Sequence, residues 1–382
     1  MSSTARFPDV VVVGGGIVGA ACAYELARAG ARVRLLERGD VARGASWAAG
    51  GLLTPVHLAE YPGPLAALCA ASLELYPPLV EELRGRSTTD PELRRPGLLI
   101  LVQDDEDERS VAALEAWKHA RGERAERLPA EEARRREPAI APDVRSALLV
   151  PDVLAVRNHR LARALVEAAE RLGAAVERGR EVTGFLVGRP RGGRRIDGVQ
   201  TGAGDVRARE TVVAAGAWAG ALLATIGLDV PVRPMRGQML LLDGPPGAIR
   251  HVVLSRDQYL IPRGDGKVLL GSTVEDAAFD CRVTPEGAAF LLRRLGEFAP
   301  GAFDLGLVGS WAGLRPGTPD RLPYIGRPEG VDGLIVAAGH FRNGILLAPV
   351  TGRIVADLVL DRPPPVDLAP FRPGRPVLEA TS

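Results

Sequence analysis

An α/β fold, with a discontinuous parallel-sheet domain holding an inserted antiparallel α+β domain, is predicted for this 382-residue chain by three observations. The first is a G-x-G-x-x-G turn, Gly14, Gly16 and Gly19, set between the apolar run Val10-Val11-Val12-Val13 and an Ala-rich segment. The second is that Glu37 leads into no new strand and helix, but into the small-residue stretch Arg43-Gly44-Ala45-Ser46-Trp47-Ala48-Ala49-Gly50-Gly51. The third is that βαβ-type and antiparallel-type blocks alternate along the rest of the chain.

The glycine turn predicts a βαβ unit: a strand to Val13, a helix over 17–29 stopped by Gly30, a second strand over 32–36, and Glu37 at its end. Glycines there permit a tight turn and close approach of main chain to a pyrophosphate. The helix N-terminus adds free N–H donors, and an acid at the end of the second strand can bond a ribose hydroxyl. The same unit serves NAD and FAD. The small-residue stretch 43–51 favours FAD, because exposed main chain can lie close to a flat flavin. A helix is expected next over 65–83, then Asp104-Asp105-Glu106-Asp107-Glu108-Arg109 as a solvated helix start. Over 158–172, Leu161, Leu165, Ala168, Ala169 and Leu172 share one helical face, and Gly173 ends it. Short strands are expected at 182–187, 196–201 and 206–209, then a buried strand from Thr211 running into Ala214-Ala215-Gly216-Ala217-Trp218. Antiparallel strands come next at 238–242, 259–262 and 268–271, the last two joined by Asp265-Gly266. Thr284-Pro285 opens a helix as N-cap and N1, with Leu291, Leu292, Leu295 and Phe298 inward. The division expected is 1–80, 149–222 and 307–361 for the nucleotide domain, 81–148 and 223–306 for the insert, and 362–382 as an extended or disordered strap with Pro363-Pro364-Pro365.

Composition excludes other classes. Lys and Arg number 48 against 47 Asp and Glu, so no field draws in nucleic acid or an anionic membrane. Cys22, Cys69 and Cys281 are three, far apart, and read as reduced, buried or inert thiols; His57, His119, His159, His251 and His340 have no ligand spacing, so no metal is expected. The longest apolar run, 10–23, carries glycines and is too short to span a membrane, so a cytoplasmic enzyme is expected.

The C-terminal blocks Trp311-Ala312-Gly313-Leu314-Arg315-Pro316-Gly317-Thr318-Pro319-Asp320, Pro323-Tyr324-Ile325-Gly326 and Ala338-Gly339-His340-Phe341-Arg342-Asn343-Gly344-Ile345-Leu346-Leu347-Ala348-Pro349 closely resemble the glycine oxidases of the D-amino-acid oxidase superfamily, the thiamine-pathway enzymes in particular. With the N-terminal loop, the likeness covers nearly the whole chain. It implies a glutathione-reductase-like FAD domain with a mixed substrate domain. The implied reaction is oxidative deamination of glycine, sarcosine and D-alanine by hydride transfer to flavin, with dioxygen reduced to hydrogen peroxide. It also implies a thiazole synthase as consumer of the imine, and a homo-oligomer, a tetramer by preference. Two other readings stay open: a D-amino-acid or 2-hydroxy-acid dehydrogenase with a non-oxygen acceptor, and a non-enzymatic binding module on the same fold.

A substrate carboxylate calls for a planar guanidinium, and Arg315, in a Gly/Pro-punctuated loop, and Arg342, beside the Asn343-Gly344 turn, are the candidates. By resemblance, Tyr259 bonds the same carboxylate, and the helix opening near Gly344 faces the flavin N1 and C2 carbonyl. The cofactor set so implied adds Ile17, Val18, Arg38, Leu52, Val182, Ala215, Gly216, Trp218, His340, Ile345 and Leu346 to the residues already named. His340 reads as a packing and hydrogen-bonding residue. Val274 and Asp257 stand where the family can carry a methionine and a histidine, and both are expected near the pocket wall. No cysteine lies between Gly309 and Ile325, so the flavin is expected to be noncovalent.

Overall fold

A computed structural model describes residues 8–54, 63–188 and 193–376, so His57 and the last six residues lie outside the described chain. Val10–Val13, fully apolar as a strand buried on both faces should be, sits inside a six-stranded sheet. The order is Tyr324–Gly326, Leu334–Ala338, Glu210–Val213, Val10–Val13, Val33–Leu36, Ala175–Glu177, parallel except for the first pair. Strand alternation sends Val10 and Val12 to one face, where they meet helices Ile17–Arg28, Gly63–Arg86, Asn158–Arg171 and Gly344–Val359 through Ala20, Tyr24, Leu68, Leu165 and Ile354. Val11 and Val13 point the other way, onto Phe185 and Val199 of a small four-stranded sheet and onto Leu223. Each buried valine contributes about 1.5–3 kcal/mol relative to exposure.

Eight strands form the second sheet, in the order Gly306–Gly317, Arg233–Asp243, Lys267–Gly271, Gln258–Pro262, Val252–Ser255, Leu98–Val102, Ser146–Val150, Glu126–Pro129. All neighbours are antiparallel except Val252–Ser255 with Leu98–Val102. Helix Pro285–Phe298 covers one face; Thr284 caps it by accepting the Gly287 N–H, and Leu291, Leu295 and Phe298 are buried as the sequence predicts, while Leu292 is only partly so. Asp104 likewise caps helix Asp105–Ala120, accepting from the Glu106 and Asp107 N–H groups.

Three expectations are corrected. Arg315 is not in a loop: it lies in the strand Gly306–Gly317, paired over eleven positions of Arg233–Asp243. Cys281 is exposed, unlike Cys22 and Cys69. The described part of the tail, 362–376, is a packed strap in which Phe371 is buried and Arg375 pairs with Asp320 at 2.8 Å. Among the described residues one helix, Gly63–Arg86, is long and apolar enough to cross a membrane by length and composition. It holds Pro77 and Pro78, buries Leu65, Leu68 and Tyr76, and donates from Ser72 and Tyr76 to the Leu346 and Ile345 carbonyls, the contacts of a core helix.

Candidate active site

The glycine turn is packed so closely that Gly19 admits no side chain: a Cβ there would lie 1.8 Å from the Gly14 carbonyl oxygen. Helix Ile17–Arg28 is thereby drawn against its strand, and its N-terminus opens toward a cavity of about 1320 Å³, its solvent mouth included. Of the predicted cofactor residues, Gly16, Ile17, Val18, Ala45, Ser46, Ala49, Gly50, Gly51, Leu52, Gly216, Arg315, His340, Arg342, Asn343, Gly344 and Ile345 line it.

Others stand outside the lining. Gly14 and Gly19 are packing positions. Both Glu37 carboxylate oxygens accept backbone N–H groups, from Gly15 at 2.7 Å and Gly39 at 2.9 Å. The Arg38 guanidinium lies 3.7 Å from the centre of the Trp218 ring, which stacks in turn on Phe279. Arg43 is exposed, Val182 and Ala215 are half-buried, and the Leu346 carbonyl is occupied by Ser72.

The small-residue loop is held by contacts that sequence reasoning missed. Ser46 Oγ accepts the Ile17 N–H at 2.8 Å, tying the loop to the start of the first helix. The Asn158 side-chain amide donates to the Ser46 and Trp47 carbonyls, and its oxygen accepts from Arg263. Arg263 also donates to the Gly50 and Val156 carbonyls at 2.8 Å each. Burial, reinforced by Arg157 nearby, lowers the Arg263 guanidinium to about 10. Trp311 completes the hold, donating to the Ala48 carbonyl at 3.1 Å and meeting Trp47 edge to face at 5.1 Å. An asparagine at a helix start and an arginine at a strand end carry no local signal for such a role. Arg263→Ala is expected to strip three hydrogen bonds from this brace and to weaken FAD binding by about 1–3 kcal/mol, measured by titrating apoprotein with FAD. An unchanged affinity would show that the loop holds its own shape.

Arg315 faces the cavity over Gly237 of the neighbouring strand, where a Cβ would fall 1.9 Å from its Nη1. It donates to the Thr273 carbonyl at 3.0 Å and to Ser272 Oγ at 2.6 Å and has Tyr259 as a further side-chain partner, so part of its planar donor fork stays open to the cavity. Desolvation lowers its pKa, an effect opposed by Tyr259 beside it and reinforced by Arg342. Among the described residues it forms no ion pair. Arg342 stands at the rim and donates to Asp257 at 3.0 Å. Val274, expected at the pocket wall, is instead exposed and absent from the lining, whereas Asp257 does line the cavity. His340 is 3 % exposed, its Nε2 lies 3.0 Å from Thr351 Oγ1, and burial pushes its pKa down to about 4, so it is neutral near pH 7. Asn343, Gly344 and Ile345 bring the N-terminus of helix Gly344–Val359 to the same cavity.

The residues fit an extended dinucleotide: a glycine turn at one end, exposed main chain along the middle, and a helix N-terminus beside a desolvated guanidinium at the other. Among the described residues no group of His, Cys, Asp or Glu could hold a metal. The chain is 41% identical to the glycine oxidase of Pseudomonas aeruginosa over 366 residues, covering 96% of this chain and 98% of that one. The crystal structure of glycine oxidase from Geobacillus kaustophilus superposes with a TM-score of 0.91 at 36% identity, over 97% of this chain and 99% of that one. The bifunctional protein ThiO/ThiG of Synechocystis is 35% identical over 96% of this chain, a match that takes up 54% of that longer protein. The family described as FAD dependent oxidoreductase matches residues 9–358. A match over nearly the whole chain, falling on the turn, loop and helix N-terminus that shape the cavity, places the protein in the FAD-dependent oxidoreductase family.

Proposed function

We propose that this protein oxidises glycine and other small amines, sarcosine and D-alanine among them, with FAD as noncovalent cofactor and dioxygen as acceptor. The observation that carries this reading is Arg315, a desolvated cation turned into the cavity and in salt-bridge contact with no carboxylate among the described residues, Glu275 acting on it only from beyond ion-pair distance. A planar guanidinium with free donors is a receptor for one carboxylate, and Tyr259 beside it offers a further hydrogen bond. FAD bound along the loop supplies the two-electron acceptor for the substrate α-hydrogen as hydride, and dioxygen carries the pair on to hydrogen peroxide.

The protein's own contribution is orientation and charge. Arg315 holds the carboxylate so that the α-carbon is presented in one direction, the effect that makes an intramolecular reaction fast. The N–H groups of helix Gly344–Val359 bring positive potential to the cavity, where it favours negative charge developing on a bound group. His340, neutral and engaged with Thr351, is not placed to take a proton, so the substrate amine has to arrive neutral. The glycine kcat/KM is therefore expected to rise toward alkaline pH as the free amine fraction grows.

By the same reading the chain divides at 80, 148, 222, 306 and 361, and works as a cytoplasmic homo-oligomer. The ThiO/ThiG protein, which carries a region similar to this chain within a longer one, supports passage of the imine to a thiazole synthase.

The purified protein is expected to be yellow, to release FAD on acid or heat denaturation, and to consume oxygen and form peroxide in equal amounts with glycine. Rapid flavin reduction by substrate with negligible reoxidation in air, and turnover restored by a quinone or dye, would replace the oxidase with a dehydrogenase.

A further inference from the structure

Among the described residues, the ionisable side chains that line the cavity are Asp257, Tyr259, Arg315, His340 and Arg342. His340 is neutral, so two guanidinium groups face one carboxylate group. The charges are not interchangeable in position. Arg315 sits in the interior, bonded to the Thr273 carbonyl and the Ser272 hydroxyl with Tyr259 as a further side-chain partner. Arg342 sits at the rim, its Nη1 donating to Asp257 Oδ1 at 3.0 Å, and the two side chains come from segments 85 residues apart. Asp257 is the more exposed partner, with 56% of its side chain accessible against 28% for Arg342, so the anion stands toward the solvent at the mouth.

Resting on the oxidase reading above, we propose that Asp257 sets the charge class of the substrate: it engages Arg342 and leaves the site a receptor for one carboxylate, selecting monocarboxylate amines against dicarboxylates. A substrate anchored by one carboxylate on Arg315 presents its other end to the rim. A second carboxylate there meets Asp257, an anion already bonded to the nearest cation, and has to displace it to be neutralised. Specificity of this kind comes from a repulsive element as much as from an attractive one. Glycine, sarcosine and D-alanine carry nothing anionic at that end. Iminodiacetate and D-aspartate do.

Asp257→Asn tests this, because the amide oxygen can still accept from Arg342 while the negative charge is gone. The ratio of kcat/KM for iminodiacetate to that for glycine is expected to rise at least tenfold. A second measurement needs no turnover: glycolate and malonate are titrated into the oxidised holoenzyme and followed by the flavin absorption spectrum. Natural-sequence enzyme is expected to bind malonate at least tenfold more weakly than glycolate, and Asp257→Asn to narrow that gap below threefold. A change of less than twofold in both ratios, or malonate binding as tightly as glycolate before any substitution, overturns the proposal. An enzyme that shows the inhibitor selectivity yet oxidises no amine refutes the oxidase reading and leaves the role of Asp257 standing.

Discussion

Arg315→Ala is expected to weaken binding of glycolate, a small carboxylate that mimics substrate without an amine, by roughly 2 to 5 kcal/mol, the scale for removing one partner of a desolvated charge pair. That corresponds to a loss of about 30-fold to several thousand-fold in affinity. The reason for so large an effect is the setting of the side chain. Thr273, Ser272 and Gly237 already fix the guanidinium in place, so the free protein has met the cost of ordering and desolvating it before substrate arrives. Arg315→Lys keeps the charge but loses the planar fork and should recover only part of the affinity. Arg342→Ala should cost less, since the rim cation is engaged by Asp257 in the free protein, and Tyr259→Phe about 1 kcal/mol, as for one hydrogen bond. FAD content should persist in all four variants. Unchanged glycolate affinity and glycine KM in Arg315→Ala would remove it from the carboxylate site.

Acid should destabilise the fold through His340 well before the carboxylates are protonated. Burial lowers its pKa to about 4 from an ordinary value near 6.5, so between those limits the unfolded chain binds a proton that the folded protein refuses. Stability supplied by the neutral, buried ring is fully present above pH 6.5 and is lost as pH falls toward 4, by on the order of 3 kcal/mol for a shift of this size. His159 is lowered as well, first by burial and then by Arg157, and contributes in the same direction. Glu167 enters later: although burial raises it, bonds from Ser87, Thr88, Arg163 and Thr89 bring it to about 2, so its contribution falls away only below the usual Glu range. Denaturant unfolding at pH 7.5, 6.5, 5.5 and 4.5 checks this. His340→Asn should flatten most of the slope between pH 6.5 and 4.5, with a remainder from His159. A variant that keeps the full slope would place the acid sensitivity elsewhere.

Local signals were legible wherever the governing contacts are local. The glycine turn, the Gly30 stop, the Thr284 cap and the inward face of helix Asn158–Arg171 all depend on residues within a few positions of one another, and each stands where the sequence puts it. Arg315 was misplaced in a loop because Gly306, Gly309, Gly313, Pro316 and Gly317 punctuate its segment. The strand is imposed from outside, by pairing with Arg233–Asp243 some seventy residues earlier. Asn158 and Arg263 were missed for the same physical reason. Their bonds to the loop at 46–51 span more than a hundred residues, and neither residue type is unusual where it occurs.

The interleaving of the two sheets bears on how the chain can be made. Strand Leu334–Ala338 lies inside the six-stranded sheet, between Tyr324–Gly326 and Glu210–Val213, while Gly306–Gly317 closes the other sheet beside Arg233–Asp243. A ribosome-bound chain therefore cannot complete the six-stranded sheet until it has passed residue 338, nor the eight-stranded one until it has passed 317, although Val10–Val13 emerges first. Until then the Glu210–Val213 edge, with Val212 and Val213 fully buried in the finished protein, stands open to a strand from any source. Such long-range closure slows folding and exposes the nascent chain to misassociation. Fragments cut between sheets should accordingly aggregate when expressed alone and gain solubility only when both halves are produced together.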